Sequence, residues 1–239
     1  MTAISKITFE PPEFSPTIVE YCFNACDMKP KIKIQQVRND FATNDFTAAI
    51  WEQAETVELN KYWSGAPAPP ERCAAVRLIW TETDFWARFD CQQHEPLIVN
   101  QNPDIKIEAE KLWERDVCEI FVAPDKNQPQ KYFEFEVAPT GEWLDYAIMQ
   151  LPNRRVTDTS YNSGIKTAAQ IAENSFSIIF QIGWQAFPQK PEPGEEWRGN
   201  LFRCAGAGET RGYLAWQPTL TAQPNFHVPQ VFGIFSFRD

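Results

Sequence analysis

Tyr132-Phe-Glu-Phe-Glu-Val-Ala-Pro-Thr-Gly-Glu-Trp-Leu-Asp-Tyr146 is the stretch that decides the fold. From Tyr132 to Val137 the residues alternate. Phe133, Phe135 and Val137 fall on one side, and Tyr132, Glu134 and Glu136 fall on the other. A period of two is the mark of a half-buried strand. Pro139-Thr-Gly141 then reads as a turn, and Glu142 to Tyr146 as the returning strand. Glu134 and Glu136 therefore share the face away from the aromatic core.

The same reading extends outward. Val117-Cys-Glu-Ile-Phe-Val122 alternates, with Val117, Glu119 and Phe121 opposite Cys118, Ile120 and Val122. If it pairs with the Tyr132 strand, Glu119 comes close to Glu134 or Glu136 on the outer face. Val76–Trp80 and Phe85–Asp90 flank the hairpin-length turn Thr81-Glu-Thr-Asp84. Phe176–Ile182, Asn200–Cys204 and Val231–Phe237 complete the strand set. Ile32-Lys-Ile34 and Val19–Phe23 read as edge strands in a proline-rich arm, residues 1–35. The segment from Asp45 to Ala54 predicts a short helix capped by Asn44 or Asp45. Gly65–Pro70 and Pro188–Pro193 read as loops.

No helical period alternates with the strands, which disfavours a parallel α/β sheet. The expected fold is an all-β, antiparallel β-sandwich of immunoglobulin-like or jelly-roll-like architecture with short helical turns. It is expected to occupy residues 1–239 as a single domain with 1–35 as an N-terminal arm. Composition agrees. The chain has 9 Trp, 18 Phe and 6 Tyr, 14% of its 239 residues, and Pro outnumbers Gly 19 to 10. Aromatics suit pleated sheets, and prolines interrupt long helices.

Acidic residues exceed basic ones 32 to 22, a formal charge of −10. That charge repels phosphate backbones and anionic lipid, so neither nucleic acid nor membrane is expected as a partner. Met1–Pro12 has no apolar core of signal-peptide length, so the chain reads as cytoplasmic with reduced thiols. Cys118 and Cys204 lie in apolar runs and read as buried. Cys22 and Cys26 lack two further ligands for a zinc site. The sequence has no glycine-rich phosphate loop and no Gly-x-Ser-x-Gly elbow. Its two histidines, His94 and His227, are isolated in sequence.

The outer-face carboxylates and the strand arginines Arg77, Arg88 and Arg203 supply the acceptors and donors that hydroxyl-rich ligands need. Trp113, in the polar loop Lys111-Leu-Trp-Glu-Arg-Asp116, has the look of a lid or a ligand platform, because sugar C–H faces suit an aromatic face.

Trp113-Glu-Arg-Asp-Val-Cys-Glu-Ile-Phe121 resembles the W-x-x-D-x-x-E-[IL]-F signature of family 9 carbohydrate-binding modules. Phe46–Trp51 resembles the family's opening motif without its Gly. Val76–Trp80 with Phe85-Trp86, and Tyr132–Gly141, resemble its hairpin and its strand-and-turn. Gly194–Arg203 resembles the G-x-x-W-x-x-N-x-x-R of stand-alone relatives, and Phe226–Gly233 the closing W-x-x-P-x-x-F-G. The resemblance spans Asp45 to Phe237. It implies a β-sandwich, often calcium-stabilised, that holds a sugar between two rings. Carried over by position, Trp113 is the first ring and Glu119 a hydroxyl acceptor. Phe226 stands where the second ring is Trp. Glu136 stands where the family has Arg, and Gln93 where it has an acid resembling a calcium ligand. Asn200 and Arg203 match the stand-alone pattern.

The expected carbohydrate-binding set is thus Trp113, Glu119, Phe226, Glu136, Arg203 and Asn200. The expected function is non-catalytic binding of a mono- or oligosaccharide, in carbohydrate catabolism. No cofactor is expected beyond the structural calcium that the resemblance implies. Two rivals remain open. One is a glycan-active hydrolase or epimerase using Glu119, Glu134 or Glu136. The other is an interaction module that keeps the fold, has lost the sugar and binds a protein partner, with Trp113 covered by the arm or by that partner.

Overall fold

The computed structural model describes residues 29–38 and 41–239. Val19–Phe23, Cys22 and Cys26 lie outside them. Thirteen strands are present among the described residues: β1 (Lys31–Gln36), β2 (Thr56–Leu59), β3 (Ala74–Trp80), β4 (Asp84–Gln92), β5 (Val117–Ala123), β6 (Lys131–Val137), β7 (Trp143–Leu151), β8 (Arg154–Asp158), β9 (Lys166–Ile171), β10 (Ser175–Gly183), β11 (Glu196–Ala205), β12 (Gly212–Ala215) and β13 (Gly233–Arg238). The helical pieces are short 3-10 turns, one of them Ala49–Gln53. Its first turn has no side-chain cap; Asp45 Oδ1 instead accepts from the Thr47 amide in a local turn.

The strands hydrogen-bond in the order β8-β7-β6-β5-β11-β13-β1-β3-β4-β10-β9, with β12 beside β11 and β2 beside β3. This continuous sheet curls until its two halves face each other as a sandwich. Cys91 Sγ on β4 and Cys118 Sγ on β5 lie 3.5 Å apart although their strands are not neighbours. Phe85 of β4 stacks on Phe235 of β13 at 6.4 Å. The core between the halves takes the inward residues of both, among them Phe135, Val137, Ile120, Phe89, Phe180 and Trp197. Burying each large aromatic contributes roughly 2–3 kcal/mol.

The sheet is mixed rather than purely antiparallel. β1 runs parallel to both β13 and β3 and sits near the middle of the path, so Ile32-Lys-Ile34 is not an edge. Its alternation was readable: Ile32 and Ile34 are buried, and Lys31 and Lys33 are exposed. Its neighbours come from distant parts of the chain, and no local pattern announces such a pairing.

A second apolar cluster covers the outer face of β5, β6 and β11. It contains Phe121, Tyr132, Phe202, Phe226 and Phe232. Gly233, in the closing motif, is needed for close approach: a Cβ there would lie 2.3 Å from the Trp216 ring.

Candidate functional site

The outer face of β5 and β6 forms the floor of a pocket of about 640 Å³. Strand parity decides which side chains reach it. Glu119 pairs across the ladder with Glu136, and Phe121 with Glu134, so the three glutamates share one face. All three are buried. Trp113, Phe226, His227, Tyr213, Tyr146, Arg155 and Arg211 complete most of the wall.

Trp113 is held by its backbone, which leaves the ring free. Lys111 turns with φ of 51°, and Leu112–Glu114 closes one 3-10 turn. Leu112 is buried beneath it. Arg211 Nη2 donates to the carbonyls of Trp113 at 2.8 Å and Arg115 at 2.6 Å, while Nη1 donates to Gly206 O at 2.6 Å. Asp116 anchors the loop from the other side, accepting from the amides of Gly206 at 2.6 Å and Ile98 at 2.9 Å. The aspartate of the W-x-x-D motif is therefore a loop anchor. The Trp113 residue remains 42% exposed.

Phe226 lines the same pocket and is only 8% exposed. Phe202 stacks on it at 4.1 Å and 13°, so one of its faces is already used. Tyr213 meets it edge-on at 6.1 Å. Of the two rings at motif positions, Trp113 is thus free and Phe226 supported.

The electrostatics of the floor are set by burial. It pushes Glu119 up to about 8, with the Glu134 charge adding to the effect. Burial also raises Glu134, to about 7. Glu136 is driven well upward by burial and then by its two carboxylate neighbours. Cys204 Sγ donates to Glu119 Oε1 at 3.6 Å. Neither oxygen of Glu136 has a hydrogen-bond donor among the described residues; what faces them is the Glu134 carboxyl. His227 bonds the Tyr132 hydroxyl through Nδ1 at 2.7 Å, and burial lowers its pKa to about 3. It is a neutral wall residue.

Two of the expected residues stand elsewhere. Arg203 pairs with Cys118, an inward residue, so it points into the sandwich and away from Glu119. It is wholly buried. Its Nη1 donates to Arg72 O at 2.6 Å and Cys73 O at 3.2 Å, and its Nη2 to Gln93 Oε1 at 2.6 Å. Its guanidinium lies 5.1 Å from the Phe176 ring centroid. Asn200 is also buried, and clamps the segment after β12. Its Nδ2 donates to Gln217 O at 2.8 Å, and its Oδ1 accepts from the amides of Gln217 and Leu201, both at 2.9 Å. Both residues are fold supports by geometry.

Gln93 stands at the position that resembles a calcium ligand. Its Oε1 is taken by Arg203, and its Nε2 donates to Glu95 O at 3.1 Å and faces Asp116 Oδ2 at 3.4 Å. Its oxygen is committed to a guanidinium and its amide nitrogen meets the neighbouring oxygens, so this donor set does not fit a divalent cation.

Sequence reasoning missed Arg155, Thr157 and Arg211. Arg155 and Thr157 sit on β8, a polar edge strand whose sequence Arg154-Arg-Val-Thr-Asp158 carries little apolar signal. Arg211 lies in a loop with no motif. A larger cleft, about 880 Å³, opens beside β6 to β8, lined by Phe133, Met149 and Val156. It contains neither Trp113, nor Phe226, nor the three glutamates.

Comparison with known proteins gives the family and the fold. The family model described as "Carbohydrate family 9 binding domain-like" matches residues 45–239. A protein of Arthroderma benhamiae named "Extracellular protein" is 23% identical over 147 residues, 56% of this chain and 64% of that protein. The match thus spans just under two thirds of that relative's length. A putative carbohydrate-binding protein from Bacteroides uniformis superposes with a TM-score of 0.70 at 19% identity, covering 88% of this chain and all of the other. A family 9 carbohydrate-binding module from Caldicellulosiruptor kristjanssonii, solved with glucose, superposes at 0.63 and 13% identity, covering 87% of this chain and 96% of its own. The same organism's module solved with cellotriose gives 0.62 at 13% identity, covering 87% and 94%. At these identities the structural likeness concerns the fold.

Proposed function

The chain belongs to the carbohydrate family 9 binding domain-like family, and from that premise we propose that it binds a mono- or oligosaccharide, without catalysis, in the pocket over Glu119, Glu134 and Glu136. The observation that carries the reading is the exposed Trp113 ring standing beside buried acceptors. An aromatic face suits the C–H face of a pyranose. In this reading Glu119, which lines the pocket, accepts from hydroxyls and, when protonated, donates to them. Arg155 adds donors at the wall. Phe226 adds a second ring to the lining, with less free area than Trp113. The glucose and cellotriose complexes of similar folds make β-linked glucose units the first ligands to try.

The carboxylates rise from adjacent strands on one floor. A glycosidase places its pair on either side of a scissile bond, roughly 5–9 Å apart. The shared floor favours binding over hydrolysis. Among the described residues Trp113 is 42% exposed and free to meet a ligand; most of the arm that the interaction reading invokes lies outside them.

Calorimetric titration with glucose, cello-oligosaccharides and a panel of other sugars tests the reading. Saturable binding that Trp113→Ala abolishes is expected. Absence of binding to every sugar, or equal binding by the variant, would sink it.

A further inference from the structure

The three glutamates of the floor have a geometry that hydroxyl recognition does not require. One carboxylate oxygen from each of Glu119, Glu134 and Glu136 lies within 4.8 Å of the other two. An oxygen-preferring cation such as calcium holds its ligands at about 2.3–2.6 Å, so oxygens sharing one ion lie no more than about 5 Å apart. The triad meets that limit without movement of the backbone.

A second observation points to something that belongs among these oxygens. Glu136 is 0% exposed, and both of its oxygens are buried without a donor among the described residues. Only the neighbouring Glu134 carboxyl faces them, and a buried carboxylate held in its charged form without a cation or donor costs several kcal/mol. The nearby cations offset it only in part: Arg155 acts on the triad from a distance, Arg211 is committed to three backbone carbonyls, and among the described residues no ion pair joins either to the triad. Within the triad the Cys204 thiol donates to Glu119.

We propose that Glu119, Glu134 and Glu136 form a site for an oxygen-preferring divalent cation on the pocket floor. The set is all oxygen, which selects a hard ion over zinc or copper. Three carboxylates leave further positions to water, or to hydroxyls of a ligand in the pocket that they line. The site is separate from the Gln93 neighbourhood, where a guanidinium takes the oxygens. It stands on the triad alone and does not need the carbohydrate reading.

The test uses the full chain, stripped with a chelator, at pH 8 and without sugar. Manganese chloride is titrated while the electron paramagnetic resonance signal of the free ion is followed. Thermal unfolding is measured with and without calcium chloride at about 1 mM, the weak end of ordinary calcium sites. Loss of the free manganese signal to one ion per chain is expected, with a melting temperature several degrees higher in calcium. Glu136→Gln should lose both effects, and Glu134→Gln gives the same readout should Glu136→Gln fold poorly. Glu114→Gln, at the exposed rim, should keep both. A manganese signal that stays free, or equal binding by Glu136→Gln and Glu134→Gln, overturns the inference. Because sugar is absent throughout, failure here leaves the carbohydrate titration untouched, and failure there leaves this result untouched.

Discussion

Glu119 on β5 stands directly opposite Glu136 on β6, so two buried carboxylates meet across one antiparallel ladder. Like charges in this position are destabilising in ordinary sheets. Glu134, two residues before Glu136, joins them on the same face. The fold thus concentrates acceptors beneath an exposed tryptophan, and its stability depends on what neutralises them.

That dependence has a sign. The folded state holds Glu119 near 8 and Glu134 near 7, and Glu136 upward, against an ordinary value of 4.5. Between those values the folded chain binds more protons than the unfolded one. Stability from these groups is therefore greatest below about pH 4.5 and declines as pH rises towards 8. Arg155 and Arg211 oppose the shift of Glu119, and burial and Glu134 outweigh them. In metal-free buffer, Glu136→Gln should flatten the decline. At pH 8.5 it should raise the melting temperature by roughly 2–8 °C, for about 1–2 kcal/mol. Thermal unfolding across pH 5 to 8.5 checks this, and an unchanged slope would count against it.

His227 has the opposite slope. Its folded pKa near 3 lies below the ordinary 6.5, so the unfolded chain takes up a proton that the folded chain refuses. Stability from this residue is present above pH 6.5 and is lost as pH falls towards 3. His227→Gln should weaken the Tyr132 contact at neutral pH but unfold less steeply in acid than the parent. Acid titration followed by tryptophan fluorescence gives the two slopes.

Arg203 is expected to govern stability rather than affinity. Removing a buried guanidinium that serves two carbonyls and Gln93 leaves those acceptors unpaired. Arg203→Met should cost about 3–5 kcal/mol. Denaturant unfolding measures the loss, and ligand affinity of the folded fraction should match the parent.

The two rings of the pocket should separate in the same way. Trp113→Ala removes a half-exposed ring and should change stability by less than about 1 kcal/mol. It should still reduce sugar affinity at least tenfold. Phe226→Ala breaks the stack with Phe202 and should cost about 3–5 kcal/mol of stability as well. Urea unfolding alongside calorimetry distinguishes the two effects.

Much of this arrangement is legible in the sequence. Period-two alternation in Tyr132–Val137 and Val117–Val122 places the glutamates on one face, and the ladder adds which pairs oppose. The motif around Trp113 singles out the platform. The central, parallel place of Ile32–Ile34 was not legible, because it depends on partners far along the chain. Arg203 was misread for a different reason. Its motif position says nothing about parity, and pairing with Cys118 turns it into the core. Arg155 and Arg211 reach the pocket from a polar edge strand and a loop, where hydrophobic patterning is silent.

The central claim is that a sugar lies on Trp113, and the indole N–H signals of the nine tryptophans report it directly. The Trp113 signal is assigned by its disappearance in Trp113→Phe. On titration with glucose or cellotriose it should shift progressively and saturate, while the signals of buried Trp80 and Trp197 stay in place. A Trp113 signal unmoved by any sugar, with or without calcium, would contradict the account.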